Sequence, residues 1–312
     1  MIHAQSISDA AQKIAPYIHR TPVLSSSQIN EIAEADLYFK CENFQKAGAF
    51  KARGAHNAIF SLSYAEAKKG VITHSSGNHA GALSLAAKNR GIPAFVVMPS
   101  TAPKVKVAAV KAYGGIVTFC EPTLEAREQM LEKIQAQKEA IEIHPYNNEN
   151  IIAGQATAVM EIAKDMKPDL IIAPVGGGGL LAGTALSTHY FLPQTKVIAA
   201  EPKGADDAWQ SFHAGKIIPS VQPKTIADGL LTSLGSLTYP IIRDYVDDII
   251  TVEEVSIIKA MRLIWERMKI IIEPSSAVPL AAVIENKDRF RGMKIAIILS
   301  GGNVDLNKLP WQ

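Results

Sequence analysis

One lysine and three polar loops carry the residue types in this sequence that are best suited to chemistry. Lys51 follows Phe50 and precedes Ala52, so its amine stands among apolar and small neighbours. An apolar setting disfavours the charged form of an amine and lowers its pKa. A partly neutral lysine is a nucleophile that forms Schiff bases with carbonyl compounds. Taken alone, the segment fits better the commoner lysine whose head group reaches water.

The first polar loop contains four consecutive glycines, Gly176–Gly179, between a predicted strand and a predicted helix. Such a run is a nest of backbone N–H groups that favours a phosphate. It also fits a loose dinucleotide fingerprint, with Ala182 in the last small-residue position and Glu201 at the end of the next strand. There is no Walker lysine pattern, which argues against a nucleotide triphosphatase. The loop therefore predicts a bound phosphate and leaves open which one.

Two further loops follow predicted strands, "THSSGNHAG" at 73–81 and "LSGGNVD" at 299–305. Both combine hydroxyls, amides and glycines, and the first opens a predicted helix. Backbone N–H groups at a helix N-terminus bind anions such as a carboxylate. These loops are thus candidates for contacts to a substrate or a cofactor.

The elements that would position these loops alternate along the chain. Seven short β-branched runs are separated by longer helical patterns and are predicted strands: "GVITHSS", "PAFVVMP", "GIVTFC", "DLIIAPV", "KVIAAEP", "DDIITV" and "KIAIILSGG". The strand-like runs are continuously apolar, which indicates burial on both faces. This alternation predicts an α/β fold with a parallel, doubly wound sheet. In such folds ligands bind at the carboxyl ends of the strands, where the three loops lie.

The composition limits the classes of protein to which the chain can belong. Of the 312 residues, 47% are apolar and 20% are charged, which is typical of a globular chain. The net charge of +2 gives no support for nucleic acid or an anionic membrane as partner. The two cysteines, Cys41 and Cys120, fit a reducing compartment. No secretory signal and no apolar run long enough to span a membrane is found, so we expect a cytoplasmic protein.

Seven segments occur together in one order, and their combination is far more specific than any one of them. They are "ENFQKAGAFKARGAHNA", "SSGNHAGAL", "PVGGGGLLAG", "EPKGADDA", "ADGL", "EPSSAV" and "LSGGNVD". The chain resembles the fold-type II pyridoxal-phosphate enzymes, and within them the serine racemases and serine/threonine dehydratases. The resemblance implies a fold like that of the tryptophan synthase β-subunit. A large domain would comprise residues 1–64 and 146–312, a small mobile α/β domain would comprise residues 65–145, and the protein would be a homodimer.

The resemblance also implies how pyridoxal 5′-phosphate is held. Lys51 would form the Schiff base, Phe50 would pack against the ring, and Gly176, Gly177, Gly178 and Gly179 would hold the phosphate. Asn78 would hydrogen-bond the ring hydroxyl, and Ser300 would face the pyridine nitrogen. A neutral hydroxyl does not keep that nitrogen protonated as a carboxylate would, so the ring is a weaker electron sink. Such a site suits β-elimination and racemisation.

The resemblance also implies substrate contacts for the loop "THSSGNHAG" at 73–81. Ser76 would be the acid/base on the face of the cofactor opposite Lys51, as in the racemases, and related threonine dehydratases often carry alanine there. His79 by itself fits a structural histidine better than an acid or base. Arg127 would hold a second substrate carboxylate, although an exposed helix arginine is the plainer interpretation. The loop residues expected to bind the substrate carboxylate are Ser75, Ser76, Gly77, Asn78 and His79.

A divalent cation is implied beside the phosphate site. Glu201, Asp207 and the carbonyl of Ala205 match the cation-binding segment of serine racemases. Hard oxygen ligands suit Mg²⁺, Ca²⁺ or Mn²⁺. Acidic residues near a strand end also commonly cap the following helix. Glu273 matches a family position near the cofactor.

We expect a serine racemase with dehydratase activity that acts on a small amino acid and needs pyridoxal phosphate. Two alternatives use the same residues: an L-threo-3-hydroxyaspartate ammonia-lyase, and a threonine dehydratase without racemase activity. Two alternatives belong to other classes: a nicotinamide-dependent dehydrogenase, which the glycine loop allows, and a non-catalytic amino-acid sensor. The sequence does not set the ratio of racemisation to elimination, because both proceed from one carbanion.

Overall fold

The computed structural model describes residues 2–75, 77–102 and 104–311. Within these ranges the strands form two separate sheets flanked by helices. The strands are β1 (Val23–Leu24), β2 (Asp36–Cys41), β3 (Val71–His74), β4 (Ala94–Pro99), β5 (Ile116–Cys120), β6 (Ile141–Glu142), β7 (Leu170–Pro174), β8 (Lys196–Pro202), β9 (Asp248–Val252) and β10 (Lys294–Leu299). The helices are α1 (Ala4–Ile14), α2 (Ser27–Ala33), α3 (Lys51–Ser61), α4 (Tyr64–Lys68), α5 (Asn78–Arg90), α6 (Lys104–Ala112), α7 (Leu124–Lys138), α8 (Glu149–Asp165), α9 (Gly179–Phe191), α10 (Asp207–Ala214), α11 (Thr238–Tyr245), α12 (Glu254–Met268), α13 (Pro274–Glu285) and α14 (Lys287–Phe290).

The larger sheet has the strand order β1-β2-β10-β7-β8-β9. All of its pairings are parallel except that of β1 with β2. Alternate residues of β7, β8, β9 and β10 enter two different apolar clusters. One cluster lies under α2, α12 and α13, and the other lies under α1, α8, α9 and α11. Helices therefore cover both faces of these four strands, which is why their sequences are continuously apolar over most of their length. The predicted α/β class with a parallel doubly wound sheet is confirmed.

The smaller sheet has the order β5-β4-β3-β6 and is parallel throughout. On one face Ile72 and Val97 pack against α7, and on the other Val96 and Met98 pack against α5 and α6. We call β3–β6 with α5–α7 the small-sheet unit, and the larger sheet with its helices the large-sheet unit. We propose that the small-sheet unit forms the core of the small domain expected over residues 65–145.

Helix α3, which begins at Lys51, lies between the two units. It packs against α8 of the large-sheet unit and α5 of the small-sheet unit. A methyl group placed on Gly154 of α8 would lie 2.6 Å from the Cα of Gly54. The two helices can cross this closely only because both positions lack a side chain. The crossing fixes the depth at which α3 sits in the molecule.

Among the described residues, no helix combines the length and the apolar character that crossing a membrane requires.

Candidate active site

The three polar loops meet at the carboxyl ends of the strands, on the side where α3 begins. The loop after β10 is joined directly to the segment before Lys51. The backbone N–H of Phe50 donates to the carbonyl of Ser300 at 3.0 Å, and Ala49 forms a β-bridge with Gly301. The backbone directly before Lys51 is therefore held in place by the end of β10, a central strand of the large sheet.

The Lys51 amine lies in a site that excludes most water. Its Nζ donates to the carbonyl oxygen of Pro145 at 2.8 Å and lies 5.1 Å from the centre of the Phe50 ring. Burial lowers the pKa of Lys51 to about 8, against an opposing effect from the negative charge of Glu273. A substantial fraction of the amine is therefore neutral near physiological pH, as a Schiff-base lysine requires.

The glycine loop is wholly buried and ends in the first turn of α9. Gly178 has a φ of +86°, a conformation that favours glycine. Among the described residues, the backbone N–H groups of Gly176, Gly177 and Gly178 make no hydrogen bond to a backbone carbonyl. Buried N–H groups without partners are rare, and at a helix N-terminus they fit an anion. The loop fits the phosphate of pyridoxal phosphate.

Tyr146 forms one wall of this loop and was missed by the sequence analysis. A methyl group on Gly177 would lie 2.3 Å from its ring, and one on Gly179 would lie 2.8 Å from its Cβ. Tyr146 directly follows Pro145, the acceptor for Lys51. A tyrosine in a loop carries no sequence signal for such a contact, because its partners are more than 30 residues away.

Asn78, the first residue of α5, is held by two residues of the large-sheet unit. Its Nδ2 donates to both carboxylate oxygens of Glu273, at 2.8 and 3.1 Å. Its Oδ1 accepts from Nδ2 of Asn303 at 3.0 Å. Burial, and then the nearby charge of Asp228, raise the pKa of Glu273 to about 7. Asn303 belongs to the "SGGN" loop, but the sequence analysis assigned it no role.

Ser300 is buried at the end of β10, with its hydroxyl 3.1 Å from that of Ser276. The Ser276 hydroxyl donates to the carbonyl of Gly301 at 2.6 Å and accepts from the N–H of the same residue at 2.7 Å. Because the Ser276 hydrogen is used for Gly301, the Ser300 hydroxyl is the donor in its contact with Ser276. The group at this position is a neutral hydroxyl, and the expected contact would need its hydrogen to turn from Ser276 to the pyridine nitrogen.

The loop between β3 and α5 opens a helix, as predicted. The N–H of Gly77 lies 3.3 Å from the hydroxyl of Ser75, and Gly77 caps α5. His79 is buried, with Nε2 3.0 Å from the carbonyl of Ile143. Burial, and then the charge of Lys51, lower the pKa of His79 to about 3, so the ring is neutral and serves as a structural donor. Ser76, predicted as the second acid/base, lies outside the described residues.

Arg127 is half-buried on α7. Its Nε donates to the carbonyl of Thr123 at 3.2 Å. Burial, and then the positive charge of Arg127, lower the pKa of His74 at the end of β3. Helix α7 packs against β3, and among the described residues Arg127 makes no hydrogen bond to the loop that follows β3.

The acidic segment after β8 contains a buried carboxylate without a partner. Both oxygens of Asp207 are buried and make no hydrogen bond within the described residues, and burial raises its pKa to about 6. Glu201 accepts from the N–H groups of Ala208 and Trp209 at 3.0 and 2.8 Å, and burial raises its pKa to about 9. Ala205 is buried in the short 3₁₀ turn between them.

These donors fit a divalent cation with hard oxygen ligands. No cluster of three or more His, Cys, Asp or Glu side chains suited to a metal occurs in the described part of the chain. A cation would therefore have to be held by the two carboxylates Glu201 and Asp207 together with backbone carbonyls, such as that of Ala205, and water.

A network of four charged side chains, three of them buried and Glu161 half-buried, holds the helix that begins at Lys51, and no sequence pattern predicts it. Arg53 donates to both oxygens of Glu42, at 2.7 and 2.8 Å, and to both oxygens of Glu161, each at 2.8 Å. Lys40 of β2 donates to Glu161 at 2.5 Å. The network ties the first turn of α3 to β2 and α8. Its members are too far apart in sequence for a local pattern to reveal the pairing.

Comparison with known proteins identifies the class. A family model described as "Pyridoxal-phosphate dependent enzyme" matches residues 14–301, and the chain belongs to this family. The protein is thus a pyridoxal-phosphate-dependent enzyme of fold-type II, and the cofactor of this class carries a phosphate, as the glycine loop predicts for its ligand. The nicotinamide-dependent interpretation of that loop has no support.

Particular relatives narrow the comparison. The chain is 51% identical to a beta-hydroxyaspartate dehydratase of Paracoccus denitrificans, over 97% of this chain and 96% of the relative. It is 53% identical to a serine racemase of Arabidopsis thaliana, over 98% and 94% of the two chains. The crystal structure of a serine racemase from Dictyostelium discoideum matches with a TM-score of 0.94 and 53% identity, over 98% and 99%. The predicted resemblance to racemases and dehydratases is confirmed.

Proposed function

We propose that the protein is a serine racemase that also eliminates water from serine. It would interconvert L- and D-serine and convert L-serine to pyruvate and ammonia. The observation that carries the proposal is the half-buried Lys51 amine, with its pKa lowered to about 8, beside a buried glycine loop. The N–H groups of that loop at Gly176–Gly178 make no backbone hydrogen bond among the described residues. Serine racemases at about half sequence identity over nearly the whole chain support it.

Bound pyridoxal phosphate would supply the electron sink for the negative charge that develops at the substrate Cα. The residues of this chain would hold it as follows: Gly176–Gly179 at the phosphate, Asn78 at the ring hydroxyl, Ser300 at the pyridine nitrogen, and Phe50 beside the ring. With the neutral hydroxyl of Ser300 at its nitrogen, the cofactor ring would be a weaker electron sink, which suits racemisation and elimination.

Lys51 would act as the base at the substrate Cα. Its amine must be neutral to take the proton, and its lowered pKa supports this role at neutral pH. Ser76 would return a proton on the opposite side, which inverts the configuration. When the β-hydroxyl leaves with a proton instead, water is lost, and hydrolysis of the dehydrated product gives pyruvate and ammonia. The first amide N–H groups of α5, with the Ser75 hydroxyl, would hold the substrate carboxylate.

The second candidate is an L-threo-3-hydroxyaspartate ammonia-lyase. Arg127 at the end of β3 would hold the additional carboxylate of that substrate, and its effect on the pKa of His74 supports this placement. The relative named beta-hydroxyaspartate dehydratase adds to the case. A threonine dehydratase without racemase activity uses the same residues.

A divalent cation would bind at Glu201, Asp207 and the Ala205 carbonyl. The unpartnered buried oxygens of Asp207 support this site. The cation would hold the segment after β8 and take no part in the chemistry. We further propose a homodimer, which light scattering of the purified protein would test.

The deciding experiment is chiral chromatography of the products formed from L-serine in the presence of pyridoxal phosphate and Mg²⁺, with pyruvate assayed in parallel. We expect both D-serine and pyruvate. Pyruvate without D-serine would exclude a racemase, and the rates with L-threonine and L-threo-3-hydroxyaspartate would then identify the dehydratase. A much higher rate with 3-hydroxyaspartate, lost in an R127A variant, would favour the second candidate.

A further inference from the structure

A triad of side chains joins the two units beside the lysine. Asn78 begins α5 of the small-sheet unit, whereas Glu273 precedes α13 and Asn303 follows β10 in the large-sheet unit. Glu273 is 3% exposed and accepts from the side chain of Asn78 and from the backbone N–H of Asn303, the latter at 3.2 Å. No other side-chain hydrogen bond of Asn78 is present among the described residues.

The triad determines which way the Asn78 amide faces. An ionised carboxylate only accepts hydrogen bonds, so the NH₂ group of Asn78 must point to Glu273. The carbonyl oxygen of Asn78 then faces Asn303, whose Nδ2 donates to it and also to the backbone carbonyl of Ala47 at 2.8 Å. Asn303 is thereby fixed as a donor. A flipped Asn78 amide would place its oxygen against the carboxylate and its NH₂ against another NH₂.

One N–H of Asn78 is left over. The two oxygens of one carboxylate are close together, at 2.8 and 3.1 Å from Nδ2, so a single N–H suffices to bridge both and the second can point elsewhere. In the proposed function this second N–H would meet the ring oxygen of the cofactor. An N–H donor there stabilises a negatively charged oxygen, whereas an amide carbonyl would repel it.

We propose that Glu273 is a positioning residue of the active site, which fixes Asn78 as an N–H donor to the cofactor ring oxygen. This inference rests on the proposed role of Asn78. Because Asn78 and the substrate loop share the start of α5, Glu273 also holds that loop at a set distance from Lys51.

A second bridge between the units lies beside the triad. Lys106 of α6 forms an ion pair with Asp228, which precedes Gly229 in the large-sheet unit. Asp228 and Lys106 both act on Glu273: the negative charge raises its pKa and the positive charge lowers it. Lys106 thus offsets part of the effect of Asp228, and together with the hydrogen bond from Asn78 it favours the ionised, accepting form of Glu273.

The test is the visible absorption of the bound cofactor in E273Q, compared with wild type and with N78A. A glutamine can donate as well as accept, so E273Q permits the Asn78 amide to flip. We expect the pH midpoint of the absorption band to shift, cofactor affinity to fall about tenfold, and kcat to fall while KM changes little. N78A should show the same spectral shift, and the double variant should add nothing further.

The matched control is E285Q, which removes a carboxylate at the other end of the same helix, where it is exposed. It should leave the spectrum unchanged. An E273Q spectrum and pH midpoint identical to wild type would overturn the proposal. If E273Q does not fold, E273D serves instead: it keeps the charge but shortens the reach, and we expect a smaller shift in the same direction. The absorption spectrum and the cofactor affinity do not depend on which amino acid is the substrate, so these two readouts separate this inference from the proposed function.

Discussion

The reactivity of Lys51 depends on how little water reaches its amine. Burial lowers its pKa, and the neighbouring carboxylate of Glu273 limits the shift. A lysine with a pKa of about 8 reacts with carbonyl groups at neutral pH far more readily than one on the surface. The roles proposed for Ser76 and Arg127 also belong to single residues. Ser76 would allow racemisation beside elimination, and Arg127 would favour a substrate with a second carboxylate.

The rate at which pyridoxal phosphate becomes covalently attached to the apoprotein should depend on pH in the same way as the fraction of neutral Lys51. We expect the rate to rise about tenfold per pH unit below pH 8 and to level off above it, since only the neutral amine attacks. Stopped-flow absorbance from pH 6 to pH 10 measures this. Free lysine, whose amine has a pKa of 10.5, provides the comparison and should continue to accelerate throughout. A plateau only above pH 10 would contradict the lowered pKa.

The S76A variant should separate racemisation from elimination. Lys51 is retained, so the α-proton still leaves and pyruvate formation should be largely kept. Return of a proton on the other face should lose its donor, and D-serine formation should fall about 100-fold or more. Both products are measured in one reaction by chiral chromatography and a pyruvate assay. Equal loss of the two activities would rule out the assigned role. S75A removes a proposed contact to the substrate carboxylate, which both reactions share, and should lower the two activities alike.

At the scale of elements, α3 is the part that places the lysine. Its first turn is held by the network of Lys40, Glu42, Arg53 and Glu161, and its depth is set by the crossing with α8. Two positive and two negative charges balance within the network. Removal of one member leaves an uncompensated charge away from water, which costs more than the net gain from the intact network.

R53M should destabilise the protein by about 3–5 kcal/mol, because Glu42 and Glu161 then share only Lys40. R53K keeps the charge but cannot reach both carboxylates with paired N–H groups, and we expect an intermediate loss. Urea unfolding measured by circular dichroism gives both values. R20A is the matched control: it removes an arginine that pairs with Asp165 on the surface, and should cost less than about 1 kcal/mol. A similar loss in R20A and R53M would argue against the network.

The sequence predicted seven of the strands, β3–β5 and β7–β10, because each is an apolar run bounded by turn residues. It missed β2, whose sequence "DLYFKC" reads as polar. Lys40 is buried there only because Glu161, 121 residues away, neutralises it. The same limit applies to the site. Lys51 and the glycine loop have local signatures, whereas the triad of Asn78, Glu273 and Asn303 exists only once distant segments meet.

At the scale of the whole molecule, a cation would join the end of β8 to the start of α10. Treatment with a chelator should lower the melting temperature of the wild-type protein by at least about 2 °C. D207N removes one proposed ligand, so the chelator should then have no effect. D206N, which changes the adjacent carboxylate that accepts from Gln210, should respond like wild type. Differential scanning fluorimetry measures all three, and an unresponsive wild-type protein would exclude the site.

The strand order of the large sheet has a consequence for how the protein is made. The central strand β10 spans Lys294–Leu299, yet it pairs with β2 at Asp36–Cys41 and with β7 at Leu170–Pro174. During synthesis β2 and β7 emerge long before the strand that must lie between them, whereas β3–β6 emerge together from one continuous stretch. The small sheet can therefore fold on the ribosome, whereas the large sheet cannot form before the strand between β2 and β7 has been synthesised. The segment before Lys51, which is anchored on Ser300 and Gly301, can be fixed in place only after those two residues have been synthesised.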